Sequence, residues 1–352
     1  GIAEVRAGGN GAIGTEQAPS TLNGSTYWVE STQLSADLLQ LTSTAIDDRT
    51  GACMQMTLQR EVDSIWLWAA FGKDVLHMDS NARTDSYNSA LGTYASQKVN
   101  GSGASAYADT DGNIGSNGGI TLDSNAKVWG DATPGPSSAV VLHSNASVDG
   151  STNPLAEPQE LPALVAPTYA SNGNKTVSGT FNLAAGNYSY NTFKLNSNAT
   201  VNVTGPANIV ITNFTLNSNT KFYADTTNGP VKVWVLDNLV LDSGVTIRPN
   251  NYVPADLELN LLSDNVADPG ITIQLDTVSF SSNSSMYGTI YAPEAKLRID
   301  SNFELFGAMM ARNIDLDSNC KIHYDEALAT TKASGSVEWH KLAWRELPYA
   351  GD

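Results

Sequence analysis

Three aspartates and one arginine stand at matching positions in two similar segments near the end of the chain, AKLRIDSNFEL and NIDLDSNCKI. If these segments lie on neighbouring parallel strands, Arg298 and Asp315 share one exterior row, and Asp300 and Asp317 share the next. Clustered carboxylates on one face can act as general acid and base, as in polysaccharide-degrading enzymes, or bind calcium through oxygen. Because Arg298 neutralises the carboxylates, a surface charge ladder is the preferred interpretation, with calcium as the main alternative.

The rest of the sequence contains few residues arranged for chemistry. The segment DTDGN (109–113) resembles the start of a calcium loop, but Ile120 stands where such a loop needs a bidentate glutamate, so a turn is preferred. The motifs of serine hydrolases, nucleotide-binding loops and zinc sites do not occur. The histidines, which show no metal-ligand spacing, are His77, His143, His323 and His340. We therefore predict no catalytic residue and no cofactor, with calcium as the one candidate ion.

The charge and composition restrict the possible partners. Asp and Glu number 36 against 19 Lys and Arg, which gives a net charge of −17. This charge disfavours binding to nucleic acid or to anionic membranes. Only 16% of residues are charged, and Asn, Ser, Thr and Gly are abundant, as is typical of secreted β-rich proteins. We expect a secreted or cell-surface location, with any export signal removed or outside this sequence.

No segment is long enough for a transmembrane helix. The most apolar run, 65–71, is far shorter than the roughly 20 residues that such a helix needs. We therefore predict no membrane span.

A Ser-Asn pair recurs along the chain, with Gly244 replacing the asparagine once. Apolar residues stand five and three positions before each pair's second residue, and the alternation resumes after it, which predicts two half-buried strands joined at a bend. Because Asn and Gly most readily adopt left-handed backbone angles, we expect that conformation at each bend. The asparagines are Asn81, Asn125, Asn145, Asn198, Asn219, Asn283, Asn302 and Asn319.

The spacing of these bends predicts the fold. Bends such as 125 and 145, or 302 and 319, are separated by about one turn of a parallel β-solenoid. Because parallel crossovers are strongly biased to one hand, we predict an all-β, right-handed parallel β-helix with an N-terminal cap. The corner asparagines would stack as a ladder of side-chain amides. The predicted regions are an N-terminal segment and cap (1–70), first coils (71–150), a Pro-rich crossing (151–170), main coils (171–328) and a C-terminal tail (329–352).

An exterior row four residues after each corner is rich in aromatic side chains. Exposed aromatic residues on a rigid β-face suit a subunit contact or stacking on sugars. Alternatively, the chain's own N-terminal segment or tail covers them. The candidates for this contact face are Trp129, Tyr223, Tyr287 and Phe306.

The two cysteines, Cys53 and Cys320, are too few for a disulfide framework. They can form one bridge between distant parts of the chain, or both can remain free. Cys320 occupies a position that other copies of the repeat fill with Ala, Thr or Val. This favours a buried small side chain over a bridged one.

The segments YGTIYAP, FGAMMA and HYDEAL, together with the terminal WREL, resemble a bacterial β-helical domain of PilX-type pilus-assembly proteins and related cell-surface proteins. The resemblance covers about residues 120–347. It implies a structural role at the bacterial surface and supplies no catalytic residues. Pilin-like relatives carry an N-terminal apolar helix that this sequence lacks, so we expect it to be removed or replaced by another mode of attachment.

Three functions follow from these observations. The leading hypothesis is a non-enzymatic extracellular structural protein that assembles with copies of itself into a filament or pilus-like appendage. Under this hypothesis, the Gly-rich residues 1–20 would add as a strand to a neighbouring molecule. The second hypothesis is an adhesin that binds surface glycans through the aromatic contact face. The third is a polysaccharide lyase or hydrolase.

Overall fold

A computed structural model of the chain describes residues 11–35, 38–47, 50–61, 64–103, 106–262, 277–330 and 338–349. The predicted all-β class is confirmed, because strands form nearly all of the regular structure of these residues. The chain divides into two compact units. Unit 1 comprises Gly1–Asp63 and Lys332–Asp352, and unit 2 comprises Ser64–Thr331.

Unit 1 is built on one antiparallel sheet with the strand order β1-β2-β3-β4-β26. Its strands are β1 (Ser20–Leu22), β2 (Ser25–Ser35), β3 (Leu38–Asp47), β4 (Thr50–Glu61) and β26 (Glu338–Leu347). A small apolar cluster of Val29, Leu39, Leu41 and Leu58 stabilises the sheet. The C-terminal tail therefore contributes a strand that pairs with β4. Residues 1–10, half of the predicted donor segment, lie outside the described residues.

Unit 2 consists mainly of parallel strands. The strands of its first part are β5 (Ala70–Met78), β6 (Arg83–Tyr87), β7 (Ile114–Ser116), β8 (Ile120–Leu122), β9 (Lys127–Val128), β10 (Ala132–Thr133), β11 (Val140–Leu142) and β12 (Ser147–Val148). Those of its second part are β13 (Asn174–Val177), β14 (Thr180–Leu183), β15 (Gly186–Leu195), β16 (Thr200–Thr204), β17 (Ala207–Leu216), β18 (Lys221–Asp225), β19 (Val231–Leu241), β20 (Thr246–Pro249), β21 (Leu257–Leu261), β22 (Thr277–Phe280), β23 (Ser285–Ile299), β24 (Glu304–Leu316) and β25 (Lys321–Asp325). The short helices are Ser89–Leu91, Tyr94–Gln97, Pro254–Asp256 and Glu326–Thr330.

We use "rung" for one corner with the strands on either side of it, and name each rung by its corner residue. Each rung pairs in parallel with the next one, for example Phe193 with Phe214 and Leu195 with Leu216. One further rung has a shorter corner at Ser178-Gly179, where Gly179 has φ 93°. It lacks the Ser-Asn pair, so the repeat pattern does not reveal it. The hand of the winding stays a prediction.

The rungs do not stack in the order of the chain. Rungs 179 to 319 follow one another, and rung 319 then pairs with rung 81, through β24 with β5 and β25 with β6. Rungs 125 and 145 complete the stack. The last rung of the chain therefore lies beside its first. Rungs 145 and 179, which are neighbours in sequence, form the two ends of the stack.

The Pro-rich segment 151–170, which we call the strap, joins these two ends and contains no strand. Its prolines cannot donate to a strand ladder. Gln159 and Asn117 exchange two hydrogen bonds, of 2.7 and 2.8 Å, and the Trp68 indole donates to the Gln159 side chain at 3.0 Å. The Tyr291 hydroxyl donates to the carbonyl of Pro162. The strap therefore runs along the stack rather than across one rung.

The corner residues adopt the predicted left-handed conformation. The eight asparagines have φ between 57° and 63°, and Gly244 has φ 74°. The asparagine side chains are exposed except that of Asn81, which is half-buried, and the predicted ladder of side-chain amides stays a prediction. From rung 198 through rung 125 of the stack, each corner N–H donates to the carbonyl of the serine before the next corner, at 3.0–3.3 Å. The bond from Asn319 to Ser80 continues this backbone ladder from rung 319, the last in the chain, to rung 81, the first.

The backbone account of the corners predicts different costs for two substitutions at the exposed Asn302. Asn302→Gly should leave the free energy of unfolding nearly unchanged, because glycine adopts φ near +60° freely. Asn302→Ala should lower it by about 1 kcal/mol, because a Cβ is disfavoured there. Urea unfolding of both variants measures this. Equal losses for Gly and Ala would indicate that the asparagine side chain itself holds the corner.

Candidate functional site

The junction between rung 319 and rung 81 joins parts of the chain that are far apart in sequence. Backbone N–H groups donate across it from Met309 to Ala69 at 3.0 Å and from Asp79 to Leu316 at 2.7 Å. Arg83 donates to the Cys320 carbonyl at 2.9 Å. The stack therefore continues through the junction without a break in its backbone ladder.

Oppositely charged side chains also face each other across the junction. The pairs are Lys73 with Glu294 at 2.6 Å, Arg312 with Asp74 at 2.8 Å, His77 with Asp315 at 2.9 Å, and His323 with Asp85. Exposed pairs contribute little stability individually. Together they disfavour wrong partners and wrong registers, because a displaced strand would bring like charges together.

His77 is half-buried on the outside of the junction. Its Nδ1 lies 2.9 Å from Asp315 Oδ1, and its Nε2 lies 3.1 Å from Asp123 Oδ2. Burial lowers the pKa of His77, but the hydrogen bonds to the two carboxylates outweigh it and raise the pKa above its ordinary value. With both nitrogens donating, the ring has no free lone pair for a metal or a proton. The residue therefore acts as an electrostatic clamp rather than a general base.

His323 forms a second clamp that is almost fully buried. Its Nδ1 contacts Asp85 Oδ1, and its Nε2 lies 3.1 Å from Glu304 Oε1. The other oxygen of Asp85 accepts from the Tyr94 hydroxyl at 2.7 Å. Burial opposes protonation of His323, but the bonds to Asp85 and Glu304 raise its pKa. The hydrogen bond from His323 in turn lowers the pKa of Glu304 to about 2.

Aromatic rings enclose the His323 imidazolium. Tyr94 lies 3.8 Å and Phe306 lies 4.8 Å from it, measured between ring centroids. Tyr287 stacks on Phe306 at 4.0 Å. Aromatic faces attract a cation and exclude water from its hydrogen bonds. Tyr94 comes from residues 88–113 between β6 and β7, so this loop completes the enclosure.

The same loop packs against the predicted aromatic contact face, so the prediction that this face is exposed is wrong. Trp129 and Phe306 are only 5% and 7% exposed. Trp129 stacks on Tyr107 at 4.7 Å, and Phe306 packs against Tyr94. Of the other two candidates, Tyr287 stacks on Phe306, and the half-buried Tyr223 lies under the guanidinium of Arg248 at 4.4 Å. Trp129 and Phe306 are therefore covered by the loop 88–113, and Tyr223 and Tyr287 are half-buried.

The candidate calcium carboxylates face cations. Asp300 and Asp317 lie 3.4 and 4.0 Å from Arg298, and Asp315 lies 3.8 Å from Lys296 in addition to its bond with His77. The register places Arg298 beside Asp315, as expected. Among the described residues, no group of three or more His, Cys, Asp or Glu side chains is arranged to hold a metal ion. The arrangement is that of a charge ladder.

Both cysteines are free, so the bridge between Cys53 and Cys320 is wrong and the free-thiol alternative is correct. Cys320 is 1% exposed, and its thiol donates to the Asp300 carbonyl at 3.1 Å. Burial raises the pKa of this thiol to about 12. Cys320 is therefore an unreactive core residue.

Residues 143–331 match the model of a family described as a domain of unknown function, DUF7305. The match spans more than half of the chain, and the chain belongs to this family. It includes the strap and rungs 145 and 179 to 319, and it excludes rungs 81 and 125. Among curated proteins, no sequence matches. The PilX-type resemblance stays a prediction.

Two solved structures resemble the chain weakly. The competence-associated pilin ComZ from Thermus thermophilus is 10% identical over 96% of this chain and 86% of its own, with a TM-score of 0.31. An ice-binding protein from an Antarctic Flavobacteriaceae bacterium is 10% identical over 73% of this chain and 96% of its own, with a TM-score of 0.26. At these scores neither similarity supports an argument about function. Within the described residues, no helix has the length and apolar character needed to cross a bilayer.

The junction clamps predict a defined pH dependence of stability. A raised histidine pKa stabilises the fold fully below the ordinary value of 6.5, and this contribution disappears as the pH rises through the raised pKa. The lowered Glu304 pKa stabilises the fold above 4.5, and this contribution disappears as the pH falls towards 2. The junction should therefore be most stable between about pH 4.5 and 6.5.

Urea unfolding across this pH range measures the effect. His323→Gln should flatten the loss of stability on the alkaline side. The matched control is His143→Gln, whose exposed ring lies 3.8 Å from Asp123 and is not part of the His323 clamp. An alkaline slope that is the same in His323→Gln as in the wild type would contradict the clamp.

Proposed function

We propose that this chain is a non-enzymatic structural subunit that is secreted and assembles with copies of itself into a filament or pilus-like appendage on a bacterial surface. We also propose that its stacked strands wind as a right-handed parallel β-helix, the hand that parallel crossovers prefer.

The uncovered end of the stack at rung 145 is the observation that carries this proposal. Leu142 occupies the inward row in which Leu122 and Leu316 are 0% exposed, yet it is 47% exposed. Val140 and Val148 occupy other inward rows and are half-buried. Their strands, β11 and β12, have one edge without a partner among the described strands. An apolar end with free backbone groups favours pairing with another molecule.

The opposite end, at rung 179, differs from rung 145. Lys175 occupies the inward position next to Phe193, and its Nζ lies 3.9 Å from the centre of the Phe181 ring. Val177 and Leu183 are only 3% and 5% exposed. An inward charge of this kind discourages unspecific strand pairing. The two ends are therefore chemically distinct, which favours a directional contact over unspecific aggregation.

The site chemistry also favours a structural role over catalysis or glycan binding. The two histidines of the junction each use both nitrogens on carboxylates, and Asp300, Asp315 and Asp317 pair with cations. In the aromatic row proposed for sugar stacking, the loop 88–113 covers Trp129 and Phe306, and Tyr223 and Tyr287 are half-buried. We therefore propose no enzymatic activity and no glycan site on that row.

A charge placed at the uncovered end should prevent assembly. Leu142→Asp introduces a carboxylate into the apolar end of rung 145, so it should reduce the number and length of the polymers visible by negative-stain electron microscopy. Val99→Asp changes a 78% exposed apolar residue outside this end and should leave polymers intact. Polymers of normal number and length from Leu142→Asp would contradict the role of this end. A wild-type chain that remains monomeric at high concentration would contradict the proposed function.

A further inference from the structure

We infer that copies of this chain polymerise by exchanging halves, with residues 1–150 of one copy docked on residues 171–352 of the next through the contacts of the rung 319 and rung 81 junction. This inference rests on the proposed self-assembly and specifies its mechanism. The partner surface is the edge of β24 and β25, and the partner is a second copy of this chain.

Each compact unit is built from both halves of the chain. In unit 1, β4 from the first half pairs with β26 from the second, with Met56 beside Trp344. In unit 2, rungs 81 to 145 from the first half stack on rungs 179 to 319 from the second. The strap is the only covalent connection between the halves. An exchange about this single linker keeps every contact within each unit and changes only which molecule supplies it.

The chemistry of the junction resembles that of an interface between molecules. The ion pairs Lys73 with Glu294 and Arg312 with Asp74 flank it, and the buried His323–Asp85 pair lies inside it. Paired charges of this kind fix the partner and the register of a contact. The first half of a second copy carries the same complementary set, so it fits the edge as well as the chain's own first half does.

The family match gives independent support. The match covers rungs 179 to 319 and, from the first half, only residues 143–150 of rung 145. It excludes rungs 81 and 125, which pair with or follow the edge of rung 319. The C-terminal limit of the match, at residue 331, lies shortly after β25, whose edge the first half occupies. A parallel edge of this kind accepts any strand pair with the same alternation and register.

The length and composition of the strap also suit an exchange between molecules. A stack of ten rungs is about 45 Å long at the usual spacing of about 4.8 Å between strands. The strap's residues span about 60 Å in an extended polyproline conformation. It is tied to the stack through Gln159, which bonds to Asn117 and Trp68, and through the Pro162 carbonyl, which accepts from Tyr291. Three of its leucines also pack against the core: Leu155, Leu161 and Leu164. Once these contacts open, the strap is long enough to reach rung 179 of the next molecule.

Exchange in one direction produces a polymer rather than a closed dimer. We call the second half of one copy, together with the first half of the next copy docked on it, a joint. Each strap then leads from rung 145 of one joint to rung 179 of the next joint. The uncovered end of one joint then faces the following joint. This arrangement gives the exposed Leu142 row a position against another molecule.

A pair of cysteines placed across the junction distinguishes exchange from stacking of closed monomers. Arg83 and Lys321 are direct partners in the register of β6 and β25, one from each half. The test variant carries Arg83→Cys and Lys321→Cys in a chain whose native thiols are removed by Cys53→Ser and Cys320→Ala. The control pair is Thr200→Cys with Lys221→Cys, which are register partners within the second half.

Both variants are assembled, oxidised and separated on a denaturing gel without reductant. We expect a ladder of covalent multimers from the 83–321 pair and only cross-linked monomers from the 200–221 pair. Cross-linked monomers in the unassembled fraction of both variants show that the cysteine chains fold. Filaments whose 83–321 disulfides lie wholly within single chains would overturn the exchange and leave self-assembly standing. A complete absence of filaments in the wild type would overturn both.

Discussion

The backbone bond that links each corner to the next is the interaction on which this structure depends. A left-handed residue turns the chain at every rung, and from rung 198 through rung 125 its N–H donates to the next rung of the stack. The same geometry recurs at Asn198, Asn219 and Gly244 and continues through Asn319 to Ser80. Because the bond uses only backbone atoms, it joins any two rungs that have the same corner, whether or not they are consecutive in the chain.

Because this bond does not depend on the order of the rungs in the chain, the last rung of the chain can stack on its first. The edge of rung 319 needs a partner with the same alternation, and rung 81 provides it. The side chains then make the contact specific. In spatial order, one exterior row reads Tyr287, Phe306, His323 and Asp85. His323 contacts Asp85 only because rung 81, from the first part of the chain, stacks on rung 319, from the last part.

The sequence pattern predicted the features that depend on local chemistry. The alternation around Leu195 and Leu216 identified the buried rows, and the exchange of Asn for Gly244 identified the left-handed corners. The order of the rungs was not predictable, because all of them share one pattern and compete for the same edges. The burial of Phe306 and Trp129 was missed because alternation marks that row as exterior, and only the loop 88–113 covers it. Rung 179 was missed because its corner is shorter and lacks the Ser-Asn pair.

The central claim is that the rung 319 edge receives the first half of a chain and, in the assembled state, that of a neighbouring chain. A cryo-electron microscopy reconstruction of the assembled protein tests it most directly, because the path of the strap assigns each half to a molecule. The account predicts that residues 151–170 leave rung 145 of one joint and enter rung 179 of the next, with His323 facing Asp85 of a neighbouring copy. A strap that returns along its own stack in every subunit, with each His323 facing Asp85 of the same chain, would contradict it.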